Sequence, residues 1–285
     1  MARFTSVEEI IDDHAKRLLA RWPSQGVWGG LVEFLVFGLK QGWACLFAGL
    51  FIAIMLATSL VWPAQPLIAR YDFLFLSAVT IQLLMLALRL EQPREVLVIL
   101  AFHLIGTAME LFKTAHGSWS YPEAALFRIQ GVPLFSGFMY GAVGSYLARV
   151  TRIFDMRYSA YPRPALTALL ALAIYGNFFA DYYHWDFRIL LFVATALLFG
   201  RTFVHFRVFK AWRKMPLLLG FALVALFIWI GENLGTLSKV WLYPNQKHGW
   251  ELVSLAKFGS WFLLMIISFV LVNIMHKPKV MDGKD

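Results

Sequence analysis

The sequence predicts an all-α fold: a polytopic membrane helical bundle of about eight spans, arranged as two parallel four-helix repeats behind an N-terminal amphipathic helix. Three observations predict it. The 285-residue chain is 60% hydrophobic and 15% charged, whereas soluble domains carry about 25% charged residues. Its apolar residues gather in runs near the roughly 20 residues that a helix needs to cross a bilayer. One irregular phrase also occurs twice, as "ELFKTAHGSWSYP" at 110–122 and "ENLGTLSKVWLYP" at 232–244.

The opening stretch, "MARFTSVEEIIDDHAKRLLARWP", is too acidic for a signal peptide and lacks an apolar core. It reads as an amphipathic helix. Ser6 and Glu9 fit a capping box, acids fill the first turn, Lys16, Arg17 and Arg21 come late, and Pro23 ends it. Ile11, Leu18, Leu19 and Trp22 suit either the membrane surface or a docking site on the protein itself. The apolar stretch 27–40 carries Glu33 and Lys40 and reads as interfacial or re-entrant, closing an N-terminal segment over 1–40.

The expected spans of the first repeat (41–150) are 41–62, 71–90, 94–114 and 132–150. Those of the second (163–274) are 163–182, 187–206, 215–237 and 252–274. In the fourth, Gly137, Gly141 and Ser145 recur every four residues and offer a small-residue face for close helix packing. A basic tail follows over 275–285.

Charge sets the orientation. The net charge is +9, which reads as positive cytoplasmic loops and not as nucleic-acid binding. Arg149, Arg152, Arg157 and Arg163 stand against Asp155 after the fourth span. Arg201, Arg207, Lys210, Arg213 and Lys214 follow the sixth, and Lys277, Lys279 and Lys284 lie in the tail. All fall on one side, so both termini are expected in the cytoplasm of a multi-pass protein of the cell membrane. Cys45 is the single cysteine, which excludes a disulfide framework.

An offset of 122 residues superposes the two phrases. Glu110 then matches Glu232, Thr114 Thr236, Trp119 Trp241, Tyr121 Tyr243, and Pro122 Pro244. The same offset carries the first four spans onto the last four. Four is even, so the halves enter from one side and are expected to relate by a twofold axis along the membrane normal.

Glu110 and Glu232 are the candidate catalytic residues. Each lies in an apolar helix about one turn from its outer end, where a carboxylate has to face the bundle interior or water. Thr114 and Thr236, four residues on, share that helix face and would orient the acids. Such an acid can give a proton to a substrate or relay one. A purely structural reading pairs Glu110 with Lys113, and Glu232 with Asn233 or Lys239. Trp119, Tyr121, Trp241 and Tyr243 fit interface anchors, since aromatic residues populate membrane interfaces, or a lid that binds substrate. Asn177 and Asp181, at i and i+4, are secondary substrate-binding candidates. His116, His184 and His248 gather on the same outward side, and a metal site there is the least favoured reading. His103 stands seven residues before Glu110, on its face. No P-loop, dinucleotide fingerprint or H-E-x-x-H motif occurs, and no cofactor is expected.

The runs "GTAMELFKTAHGSWSYPEAALFRIQGVPLFSGFMYGAVGSYLAR" and "GENLGTLSKVWLYPNQKHGWELVSLAKFGSW" resemble the YoaT-like family of uncharacterised bacterial integral membrane proteins. That resemblance implies a multispanning fold. An acid in a helix, then Trp–x–Tyr, then Val–Pro–Leu opening the next helix, also looks like membrane carotenoid hydratases and cyclases. The likeness implies that Glu110 matches their helix acid and Pro133 their proline. The chain departs after the proline, with Leu134, Phe135, Ser136 and Gly137 where those enzymes carry acids. The reading that follows is a membrane-embedded enzyme acting on a lipid or isoprenoid. A proton-coupled transporter and a structural membrane protein are the alternatives. The partners expected are the bilayer and a hydrophobic lipid or isoprenoid ligand, with no nucleic acid and no assigned oligomeric state.

Overall fold

The computed structural model describes residues 5–21, 26–180, 183, 185–209 and 211–281. Trp22, Pro23, Asp181, His184, Lys210 and Lys284 lie outside the described residues.

Helix α1 (Ser6–Ala20) forms as expected, but its capping box uses Thr5 and Glu8 instead of Ser6 and Glu9. The Glu8 N–H donates to Thr5 Oγ1, and the Thr5 N–H donates to Glu8 Oε2 at 2.8 Å. Glu8 is also required elsewhere: Arg152 donates to both its oxygens, at 2.8 and 2.6 Å, and pairs with Glu95. A buried guanidinium needs such acids, so α1 docks on the protein. Lys40 donates to Asp12 at 2.7 Å, and Ala15 and Leu19 pack with Val36, Val150, Ile153 and Phe154.

Helices α2 (Val27–Ala44) and α3 (Leu46–Val61) meet at Cys45 with a bend of 71°. The first expected span is therefore split, with its larger part forming α3 from Leu46. Then follow α4 (Arg70–Ala87), α5 (Pro93–Ala115), α6 (Phe135–Ile153), α7 (Pro164–Ala180), α8 (Arg188–Phe199), α9 (Leu217–Leu237) and α10 (Leu255–Met275). A short hairpin of β1 (Arg128–Ile129) and β2 (Val132–Pro133) precedes α6. An antiparallel sheet joins β3 (Arg157–Ser159), β4 (Phe203–Arg207) and β5 (Trp212–Pro216) in that order. The expected sixth span, 187–206, thus stops as a helix at Phe199. The next residues alternate, with Val204 buried between the more open Phe203 and His205, which is the period of a strand.

Among the described residues, four helices are long and apolar enough to cross a membrane: α4, α5, α9 and α10. A fifth span arises if α2 and α3 are counted together. Helices α7 and α8, of 17 and 12 residues, are apolar but short. Helix α6 is diluted by Gly, Ser and two arginines.

The small-residue face of α6 lies against α5. A Cβ at Gly137 would overlap the His103 ring, Gly141 faces Ile99, and Ser145 donates to Glu91 at 2.5 Å. Helix α4 ties down the loops that follow α5 and α9 from its first turn. Arg70 donates to the Ser238 carbonyl at 2.8 Å and Tyr71 to the Val240 carbonyl at 2.7 Å. Asp72 accepts from the N–H groups of Leu126 and Phe127 at 2.9 Å.

A candidate site of two carboxylates under aromatic donors

The repeated phrase folds the same way twice. Helix α5 ends with Gly117 at φ +71°, and α9 with Lys239 at φ +56°. In each case the next residue but one from the cap reaches back. Ser118 N–H donates to the Lys113 carbonyl at 3.0 Å, and Val240 N–H to the Gly235 carbonyl at 3.1 Å. Gly117 and Lys239 donate to the carbonyls of Thr114 and Thr236, both at 3.0 Å. These are two Schellman caps. They reverse the chain, so that a tyrosine eleven residues after each glutamate returns to it.

Glu110 is 3% exposed and Glu232 5%. Glu110 accepts three hydrogen bonds, each at 2.8 Å: Trp119 Nε1 and Tyr121 Oη on Oε2, and Tyr140 Oη of α6 on Oε1. Glu232 accepts from Tyr243 Oη and from Trp261 Nε1 of α10. Burial pushes the Tyr121 and Tyr243 phenols well above their ordinary value, and the adjoining glutamates add to it. Both phenols therefore remain protonated donors.

The two phrases touch here. Ser120 and Leu242 exchange both backbone hydrogen bonds, at 2.9 Å each. The Trp119 and Tyr243 rings meet edge to face at 6.2 Å. Lys257 Nζ of α10 lies over both rings, 5.4 Å from Trp119 and 4.6 Å from Tyr243. Trp119 donates to Glu110 and Tyr243 to Glu232, so the Trp119–Tyr243 contact links the surroundings of the two acids. A small apolar crevice, lined by Phe102, Ile105, Tyr175, Leu264 and Ile267, opens beside Tyr140.

Every described donor on these two acids is neutral, as on Glu91, which accepts from Gln82 and Ser145. Glu8 and Glu95 sit on Arg152, Asp12 on Lys40 and Glu33 on Arg213. Neutral donors satisfy the carboxylate oxygens without cancelling their charge, whereas a salt bridge pairs the ionised form with a cation.

Not every expected residue joins the site. Thr236 Oγ1 donates to the Asn233 carbonyl and accepts from Trp250, and Thr114 Oγ1 is buried with no partner. Neither threonine bonds a glutamate. Trp241 does not copy Trp119. It packs over Gly235, where a Cβ would overlap its ring. Asn233 turns away to the Trp229 carbonyl and the Val253 N–H. Asn177 accepts from the Phe187 N–H at 2.8 Å and so fastens the turn between α7 and α8. His116 Nδ1 lies 2.7 Å from the Phe112 carbonyl, and His248 is exposed. Among the described residues, no three of His, Cys, Asp and Glu gather as a metal site. Tyr140, Trp261 and Lys257 join the site without having been singled out in the sequence. Tyr140 and Trp261 face their glutamates from the helix that follows each phrase, which is the one signal that pointed to them.

Comparison with known proteins gives three likenesses. A family model described as "Protein of unknown function (DUF817)" matches residues 33–269. The uncharacterized protein YoaT of Bacillus subtilis (strain 168) is 42% identical over 247 residues, covering 87% of this chain and 93% of that protein. A solved structure of a cross-linked MvINS trimer is 16% identical with a TM-score of 0.46, covering 66% of this chain and 98% of that one.

Proposed function

The chain belongs to the DUF817 family, and from that premise we propose that it is a membrane-embedded enzyme acting on a lipid or isoprenoid by acid–base chemistry. One observation carries the reading. Two buried carboxylates stand either side of the Trp119–Tyr243 ring contact, and each described hydrogen bond on them comes from a neutral tryptophan or tyrosine.

Such a pair supplies an acid and a base together. The protonated member transfers its proton to a substrate double bond: its O–H bond breaks and a C–H bond forms, leaving a carbocation. The ionised member then removes a proton from the adjacent carbon, giving an isomer. Alternatively, it takes a proton from a water molecule that adds to the cation. The tyrosines and tryptophans hold both carboxylates in place.

The proposed architecture is eight crossings, α3 to α10, in two parallel halves over 41–150 and 163–274, with both termini cytoplasmic. The segment 1–40 precedes the halves and the basic tail over 275–285 follows them. The matching Schellman caps support it, and so does the bridge between Ser120 and Leu242, which are equivalent positions under the 122-residue offset. A residue that pairs reciprocally with its own equivalent lies at a twofold axis.

Whole-cell lipid extracts analysed by mass spectrometry test the reading. Cells making the wild-type protein are expected to convert a lipid species that cells making Glu110→Gln or Glu232→Gln leave unconverted, with all three proteins inserted equally. A wild-type lipid profile in both variants would contradict it. The parallel duplication also favours a second reading, proton-coupled transport. In that case both variants lose uptake in proteoliposomes and the wild-type protein alters no lipid.

A further inference from the structure

The sheet at the far end of α6 from Tyr140 has two unlike faces. Tyr158 and Val204, in register with Met215, point inward and are each 2% exposed. The other face carries Arg157, His205 and Lys214 in one cross-strand row, with Arg207 opposite Trp212 in the next. Trp212, 40% exposed, has Arg157 over its ring at 4.7 Å and Arg207 at 5.2 Å. Lys214 Nζ lies 5.9 Å from the Phe203 ring. The tail adds Lys279 where it pairs with Tyr158 along the sheet edge. Asp155 is the acid that answers this group, shared by Arg157, Arg207 and Lys279. Four cations, Arg157, Arg207, Lys214 and Lys279, therefore stand against one described carboxylate, which pairs with three of them.

The depth of the face is fixed by its connections. Strand β4 begins just after α8 ends at Phe199, and β5 runs directly into α9 at Leu217. The apolar side chains of Leu197 and Leu219, on those helices, are exposed as lipid-facing residues are. At strand rise, Lys214 stands about 10 Å from the start of α9, and its flexible stem shortens the remaining distance to the headgroups. A basic row with an amphipathic tryptophan at this level matches the phosphates of a bilayer surface.

We propose that the outer face of this sheet is a binding surface for anionic phospholipid headgroups of the adjoining leaflet. The phosphates lie against Arg157, Arg207 and Lys214, and Trp212 anchors among the glycerol backbones. This is a different site from the glutamate pair and does not depend on its chemistry.

The test is native mass spectrometry of the full-length protein in micelles containing phosphatidylglycerol or phosphatidylcholine. The wild-type protein is expected to retain phosphatidylglycerol over phosphatidylcholine, with a preference that falls as salt is raised. The Arg157→Gln/Arg207→Gln/Lys214→Gln variant should lose about tenfold or more of that preference, and Lys214→Arg should keep it. Lys214→Gln alone removes no described ion pair, and it is read in the same way if the triple variant fails to elute as a single species. Equal retention of the two lipids by the wild-type protein overturns the proposal. So does a preference that is indifferent to salt, or one unchanged in the variants.

Discussion

Among the described residues, Glu110 holds three side-chain hydrogen bonds and Glu232 two. Removing one donor therefore matters more at Glu232. Tyr243→Phe is expected to lower stability by about 1–3 kcal/mol, the cost of leaving a buried acceptor short of a partner. Tyr121→Phe leaves Glu110 two donors and should cost less. Thermal unfolding of the purified variants checks the order, and a larger loss in Tyr121→Phe would contradict the assignment. At this scale the sequence was informative where a residue conflicted with its surroundings: a glutamate in an apolar helix is conspicuous. Its partners were not. Tyr140 and Trp261 stand 30 and 29 residues from the acids they serve, on helices that look like ordinary apolar spans. The threonines misled because helix spacing says which residues share a face, not which side chains bond.

The helix ends carry the shared local structure. Both phrases close a helix with a Schellman cap, but the left-handed position is Gly117 in one and Lys239 in the other. A residue with a Cβ is strained there by about 1–2 kcal/mol. Lys239→Gly is thus expected to stabilise the protein by about 1 kcal/mol, less the extra chain entropy that glycine loses on folding. An upward shift in the unfolding midpoint supports the cap, and a clear drop would count against it. Element boundaries were legible where one period dominated, as in α4, α5, α9 and α10. They failed at 187–206, where an apolar composition hid a change from helical to strand alternation. At the N-terminus, Thr5–Glu8 and Ser6–Glu9 both satisfy the capping spacing, and only Arg152, 144 residues from Glu8, decides between them.

In the whole molecule, the duplicated phrase changes from a loop motif to a meeting point. Its Trp and Tyr residues fit interface anchors in the sequence, yet Tyr243 is 8% exposed and bonded to Glu232. Tyr121 and Trp119 close over Glu110 in the same way. The offset of 122 residues was readable in one dimension. That equivalent residues pair with each other was not, because nothing local in a sequence records which loops meet.

The central claim is that the two halves join at this pair and so bring both glutamates into one site. Cys45 is the chain's single cysteine, so a Cys45→Ser background allows a clean cross-linking measurement with Ser120→Cys and Leu242→Cys. Residues that exchange both backbone hydrogen bonds in an antiparallel pair stand about 5.5 Å apart at Cα, within disulfide range. Mild oxidation, or a short thiol cross-linker, is expected to join the two cysteines within one chain, at the mass of a monomer. Free thiols after oxidation, or cross-links found between chains alone, would contradict the account.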